Sequence, residues 1–212
     1  TYQWQTATTL AGPWTNIGPS QNNPAYSVNP TVTLYYRCAV TCSGSTTFST
    51  PVQVVVNALF PAGTYTINSA LPTGGTNFQS FNDAVFALRC GIGGPIVFNV
   101  VTGSGPYNEQ VIIGQIQGSS AANTVTFNGN GETITNLSTN TNERAVIKLN
   151  GTDHFVFDSL TVVPQGAATT EYGFGFHLLN SADSNIIRNC DINMSTATTS
   201  SNFAGIVSSV GT

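Results

Sequence analysis

The chain has 212 residues, of which 7% are charged, and only five of these are Lys or Arg, for a net charge of −4. A typical globular domain carries roughly 25% charged residues, so this surface is polar through Thr, Ser, Asn and Gly and nearly uncharged. Such a scarcity of cations excludes nucleic acid as a partner, because phosphate binding needs clustered Lys and Arg, and it argues against electrostatic docking on an anionic membrane.

A hydrophobic fraction of 40% is enough for a packed core, so a disordered segment is not expected. No apolar run approaches the ~18 residues of a membrane-spanning helix, and no membrane insertion is expected. The Lys-poor, Thr/Asn/Gly-rich β composition points to an extracellular or cell-surface location. Residue Thr1 reads as the interior of a domain, and a secretory signal is expected upstream or already removed.

Residues 1–57 read as short strands separated by turn residues, at the spacing of a β-sandwich. Trp4 centres the first run at 2–5. Runs at 14–17 and 24–28 follow. The strongest strand covers 34–40, with Leu34, Tyr36, Cys38 and Val40 alternating on one side, and another run ends at Val56.

Three stretches carry a resemblance: Tyr-Gln-Trp-Gln at 2–5, Tyr-Tyr-Arg-Cys-Ala-Val-Thr-Cys at 35–42 and Ser-Thr-Pro-Val-Gln-Val at 49–54. They resemble the Ig-like domains of large secreted proteins of the Bacteroidetes type. The resemblance implies that Trp4 is the core Trp of strand C, Tyr36 the corner tyrosine and Cys38 the strand-F cysteine. It also implies strands A and B before Tyr2, which this sequence lacks, together with a strand-B cysteine to pair with Cys38. Cys38 and Cys42 lie in one extended run, which puts their Cα atoms ~13 Å apart against a limit of ~7 Å for a disulfide. Both cysteines are therefore expected to pair outside the chain. The missing strands would come from a longer polypeptide or from a neighbouring subunit by strand addition.

Residues 58–94 read as a linker and a capping helix. A Pro and a Gly punctuate 57–63, and a small strand follows at 64–67. The one convincing helix is expected over 81–90, with Asn77 or Ser80 as N-cap, Asp83 in its first turn and Arg89 in its last, both favourable to the helix dipole. Gly91 supplies the stop signal. Phe81, Val85 and Leu88 share one side. A helix here would cover the open end of the element that follows.

Residues 95–212 read as an incomplete parallel β-helix. Strands are expected at 96–100, 110–113 and 124–128. From Arg144 to Met194 the sequence repeats itself with an offset of 30 residues. In that alignment Val146 meets Phe176, Leu149 meets Leu179, Asn150 meets Asn180 and Asp153 meets Asp183. Phe157, Leu160 and Val162 fall over Ile187, Cys190 and Ile192. A fixed period of this kind marks a solenoid, and the short Val/Ile/Phe/Thr runs between Gly, Asn, Asp and Ser make it a β-solenoid with three strands per coil. A strand at 205–207 would begin a further coil with no cap visible after it, so the C-terminal end of the chain reads as unfinished as its Ig-like N-terminal end.

The stretches Gly-Pro-Ile-Val-Phe-Asn-Val at 94–100, Tyr-Asn-Glu-Gln-Val at 107–111 and Ser-Ala-Ala-Asn-Thr-Val-Thr-Phe at 120–127 resemble right-handed parallel β-helix proteins of the pectin-lyase-like class, in particular secreted Bacteroidetes members. The expected fold is thus all-β: a partial Ig-like β-sandwich followed by a right-handed parallel β-helix with an N-terminal capping helix. The resemblance implies fold and not activity, because this architecture carries lyases, hydrolases, tail spikes and inert stalks.

Candidate chemistry is sparse. Asp153 and Asp183, ~5 Å apart in adjacent coils, would suit a Ca²⁺ site or a carboxylate pair, or would each cap its own turn. No other cofactor is expected. Asn150 and Asn180 are expected to form a structural ladder. Tyr107, Tyr172, Phe174 and Phe176 could form an aromatic platform for carbohydrate, with Phe176 reading as core and Tyr107 and Tyr172 as the candidates for contact. Asp158 and Arg188 should pair across coils. His154 falls over Ser184 and His177 over Ile147, without metal-ligand spacing, and Cys190 reads as a buried thiol remote from Cys90. Lys148 falls over Leu178 with no acid cluster around it, so the catalytic pattern of pectate lyases transfers to no residue here. Asp158-Ser159-Leu160 resembles the O-glycosylation motif of secreted Bacteroidetes proteins, and Asn136, Asn150 and Asn193 begin N-glycosylation sequons.

These features lead to the expectation of a non-enzymatic structural or adhesive segment of a bacterial surface protein or fibre. Its partners would be copies of itself, adjoining domains of one long chain, or glycans. The alternatives are a carbohydrate-binding β-helix and a fragment of a polysaccharide lyase or glycoside hydrolase.

Overall fold

The computed structural model describes residues 1–210. The chain forms two compact units, Thr1–Ala58 and Leu59–Thr212.

The first unit contains β1 (Tyr2–Ala7), β2 (Thr15–Asn16), β3 (Leu34–Cys42), β4 (Ser45–Phe48) and β5 (Val52–Val54). They form one antiparallel sheet in the order β2-β1-β3-β4, with β5 also pairing β3. Trp4 lies opposite Cys38 and Thr6 opposite Tyr36. Partners directly across a ladder share a side of the sheet, so Trp4, Tyr36 and Cys38 lie on one side, together with Val52 opposite Tyr36 and Val54 opposite Leu34. The segment between β2 and β3 folds over part of this side, held where the Trp4 indole donates to the Pro24 carbonyl at 2.9 Å. The opposite side carries Arg37 between the rings of Trp14 and Phe48, 4.2 and 4.0 Å away. All strands of this unit belong to one sheet among the described residues, where the sequence led to the expectation of a sandwich. Cys38 is buried, Cys42 is exposed, and both thiols are free.

The second unit begins with β6 (Gly63–Ile67), β7 (Asn77–Phe78) and α1 (Phe81–Leu88). It continues through β8 (Ile96–Val100), β9 (Tyr107–Asn108), β10 (Val111–Ile113), β11 (Val125–Asn128), β12 (Thr133–Asn136) and β13 (Ala145–Asn150). It ends with β14 (Phe155–Asp158), β15 (Thr161–Pro164), β16 (Gly173–Leu179), β17 (Ile186–Arg188), β18 (Asp191–Ile192) and β19 (Phe203–Ser209). Three parallel sheets result. Face A has the order β17-β14-β11-β8-β6-β7, face B the order β18-β15-β12-β9, and face C the order β10-β13-β16-β19. From β8 onward each coil contributes one strand to each face, which is the parallel β-solenoid that the repeat implies. The solenoid starts earlier than expected. β6 already pairs with β8, Tyr65 lying beside Phe98, so residues 58–94 hold its first strand and are not only a linker and helix. Residues 211–212 of the expected β-helix range lie outside the described residues.

The coil length is not constant. On face A, Ile96 pairs with Val125 and Val125 with Phe155. On face C, Ile147 pairs with Phe176, Lys148 with His177 and Leu149 with Leu178, an offset of 29 residues. By β14 and β17 the offset is 30, with Phe157 beside Ile187. The uniform alignment of Val146 with Phe176, Leu149 with Leu179, His177 with Ile147 and Lys148 with Leu178 is therefore corrected by one position along face C. The extra residue is absorbed after Leu179, where Asn180 and Ser181 both adopt positive φ, 54° and 57°. Short polar side chains tolerate that left-handed region best after Gly.

The core is a stack of identical positions. Tyr65, Phe98, Phe127, Phe157 and Ile187 form one column of face A by register. Phe98 and Phe127 stack with centroids 5.0 Å apart, and Phe127 and Phe157 with centroids 5.6 Å apart and planes 6° from parallel. Helix α1 packs beside β10, the first strand of face C, and buries Phe81, Ala84 and Leu88. Ser80 is its N-cap, accepting from the Asp83 amide at 3.0 Å. The Glu109 carboxylate accepts from the amides of Phe81 and Asn82, both at 2.9 Å, and so satisfies two of the donors that a helix start leaves free. The helix stops two residues before expectation, with Arg89 as C-cap and its guanidinium 3.4 Å from the Phe86 ring centroid.

Candidate functional site

The corrected register on face C brings together groups that the sequence repeat keeps apart. β13 and β16 are apolar strands, each interrupted by one basic side chain, Lys148 and His177, and these pair across the coils. Both are buried, at 6% and 7% exposure. The segment between β12 and β13 supplies Lys148's partners: its Nζ donates to the Asn142 carbonyl at 3.1 Å and to Glu143 Oε2 at 2.9 Å. That segment is pinned in turn by Ser138, whose hydroxyl donates to the Glu143 carbonyl at 2.6 Å, and by Gln110, whose amide donates to the same carbonyl at 2.8 Å.

Beside this cluster lies a groove of about 440 Å³, lined by Thr141, Asn142, Arg144, Phe174, His177 and Ser209 among others. His177 Nε2 and Ser209 Oγ are 2.9 Å apart, while His177 Nδ1 is buried with no hydrogen-bond partner among the described residues. The Phe174 ring meets the imidazole edge-on at 5.7 Å. Arg144 lies 4.6 Å from the Tyr172 ring centroid and 5.9 Å from that of Phe174. Its Nε donates to the Thr141 carbonyl at 2.7 Å, and its terminal nitrogens have no protein partner among the described residues.

The electrostatics follow from burial. Lys148 is neutralised by Glu143 in a pair whose Lys side is buried and whose Glu side is 30% exposed, and its value lies in fixing geometry more than in stability, since desolvation of the ammonium offsets the attraction. Arg144 has no such counter-charge among the described residues. Burial pushes the His177 imidazole below its ordinary value, Lys148 and Arg144 push it the same way, and Glu143 opposes them. A hydroxyl bonded to an imidazole is the start of a nucleophilic pair. A relay also needs an acceptor at the second ring nitrogen and a setting that stabilises imidazolium. Here Nδ1 has no acceptor among the described residues, and two cations act on the ring.

The other candidates fall elsewhere. Tyr107 is 4% exposed. Its hydroxyl bonds to Ser104 at 2.6 Å and to the Ile67 carbonyl at 3.2 Å, so it is a core residue without a face for a sugar. Tyr172 is half-buried under Arg144 at the rim of the cluster. Asp153 Oδ1 accepts the Asp183 backbone amide at 2.7 Å, a bond that joins adjacent coils and is not the expected cap of Asp153's own turn. No group of three or more His, Cys, Asp or Glu that could hold a metal occurs among the described residues. Asn180 donates to Asn150 at 2.6 Å. A second such rung, Asn128 to Asn99 at 3.2 Å, went unread in the sequence. Arg188 reaches Asp158 at 2.8 Å. The Asp158 carboxyl is held below its ordinary range by hydrogen bonds from Asn189 and Ser159 and then by Arg188. Cys190 is half-buried against the core, and burial pushes its thiol up.

No protein-family model, curated protein or solved structure matches the chain.

Proposed function

We propose that this chain is a non-enzymatic structural or adhesive segment of an extracellular bacterial surface protein or fibre. The observation that carries the reading is the continuity of side-chain rungs along the coils: Asn99 with Asn128, Asn150 with Asn180, Asp158 with Arg188, and the Phe98–Phe127–Phe157 column. Such rungs join each coil to the next as the backbone ladders do, and they favour a rigid rod. In this reading the β-helix is right-handed and α1 covers its first coil. The first unit is the C–F–G half of an Ig-like domain, a view supported by the pairing of Trp4 with Cys38 and by the β3–β4 hairpin. Its second sheet would come from adjoining sequence or from another copy, and Cys38 and Cys42 would pair there.

Electron microscopy of the native material tests this. Rods or filaments with a ~4.8 Å axial repeat, in which added strands cover the Trp4 side of the first unit, are the expected outcome. Isolated globular particles with that side bare would overturn it. A second reading, carbohydrate binding by the solenoid, is favoured by the face C groove, where Arg144, Tyr172 and Phe174 combine a free cation with aromatic rings.

A further inference from the structure

We infer that the groove on face C is a binding site for an oxyanion, a carboxylate, sulfate or phosphate group carried by the ligand, with Arg144 as its principal contact. The inference rests on reading the groove as a ligand site, and it adds the chemical class.

The argument begins with scarcity. The chain holds five cationic side chains against nine acids, yet Arg144 lines this one groove and Lys148 lies buried beside its His177, with Glu143 the single acid beside them among the described residues. Lys148 is spent on Glu143 and on the Asn142 carbonyl. Arg144 is held in place by Thr141 through Nε and by the face of Tyr172, which leaves its terminal nitrogens available. A planar guanidinium fixed in this way offers two parallel N–H donors to an oxyanion. Asn142 and Thr141 add neutral polar groups to the lining, and Phe174 adds an apolar wall.

His177 gives the site a signature that a merely structural cluster would lack. Its Nδ1 is buried and without a partner among the described residues, and an unsatisfied buried polar atom calls for an explanation. The groups facing the ring are Lys148 from β13, Glu143 and Arg144 from the segment before it, Phe174 from its own strand and Ser209 from β19. With the groove empty, burial first and then the two cations hold the imidazole below its ordinary value. An anion beside Arg144 offsets them, so ligand binding takes up a proton at His177 and strengthens as pH falls.

Calorimetric titration of the whole chain with sodium sulfate, glucuronate, glucose 6-phosphate and neutral glucose, at pH 5.5 and 7.5, tests the inference. At least one oxyanion should bind, several-fold more tightly at pH 5.5. R144Q should weaken it tenfold or more, and H177N should retain binding and lose the pH dependence. If no oxyanion binds, or if R144Q binds as well as the parent chain, the inference is overturned. Glucose binding that ignores R144Q would preserve the carbohydrate reading and remove this one. Sulfate binding without any sugar preference would do the reverse. Circular dichroism of each variant separates loss of binding from loss of fold.

Discussion

At the scale of single residues, His177 links burial to pH. Its folded-state value lies below the ordinary 6.5, so the unfolded chain takes up a proton first as pH falls. Its contribution to stability is complete above about pH 6.5 and is lost as pH falls from there toward the folded value. Glu109 runs the other way. Burial raises its carboxyl above 4.5 against the pull of its amide hydrogen bonds, so its contribution is complete below that value and declines as pH rises through the folded one. Comparison with H177N isolates the histidine. Urea midpoints of the parent chain should fall between pH 7.5 and 5.5, and those of the variant should fall less. Equal pH slopes for the two proteins would show that the imidazole titrates freely. The importance of this residue was hidden in the sequence by a single position. Lys148 and His177 are the sole basic interruptions of two apolar runs, and aligning those interruptions gives the observed 29-residue offset. A strict 30-residue repeat, anchored on Asn150 and Asn180, follows the turn and misses the strand, because the turn contains the extra residue.

At the scale of elements, close approach between coils decides which positions tolerate a side chain. Gly175 lies in the middle of β16, where Gly is ordinarily unfavourable by roughly 0.5–1 kcal/mol. A Cβ there would stand 2.5 Å from the Gly205 carbonyl oxygen and 2.6 Å from Ile192 Cγ2. One of these is the backbone of the next coil, which cannot give way without parting β16 from β19. Gly175→Ala should therefore destabilise the solenoid by about 1–3 kcal/mol, the ordinary cost of overpacking, read as a lower urea midpoint. Stability equal to or above that of the parent would show that the coils separate freely. The helix was legible because its signals are local, Ser80 before it and Gly91 after it. Glu109, 28 residues from the amide it caps, was not legible, because nothing local to the helix points to it. Tyr107 was misread for a related reason: an aromatic in a short strand looks the same whether its hydroxyl meets water or the Ile67 carbonyl.

At the scale of the whole molecule, the two units are distinct in their contacts and in their composition. The repeat made the solenoid legible, since every coil restates the same core positions. The first unit has no repeat, and its single sheet leaves Val52 and Val54 exposed at 62% and 37%. Both tryptophans, Trp4 and Trp14, belong to the first unit, and the solenoid contains none. Tryptophan fluorescence thus reports on the first unit alone, while far-ultraviolet circular dichroism reports on both. Phe127 lies fully buried in the middle of the face A column, with Phe98, Phe157 and also Phe81 against it. Phe127→Ala should cost about 3–5 kcal/mol, as for other large-to-small changes in a core. Solenoid stability is a sum of nearest-neighbour terms, so a break in the column should lower the dichroism transition as a whole. The fluorescence transition should stay where it is. If both probes shift together, the two units unfold as one, and the division of the chain at Ala58 has no thermodynamic meaning.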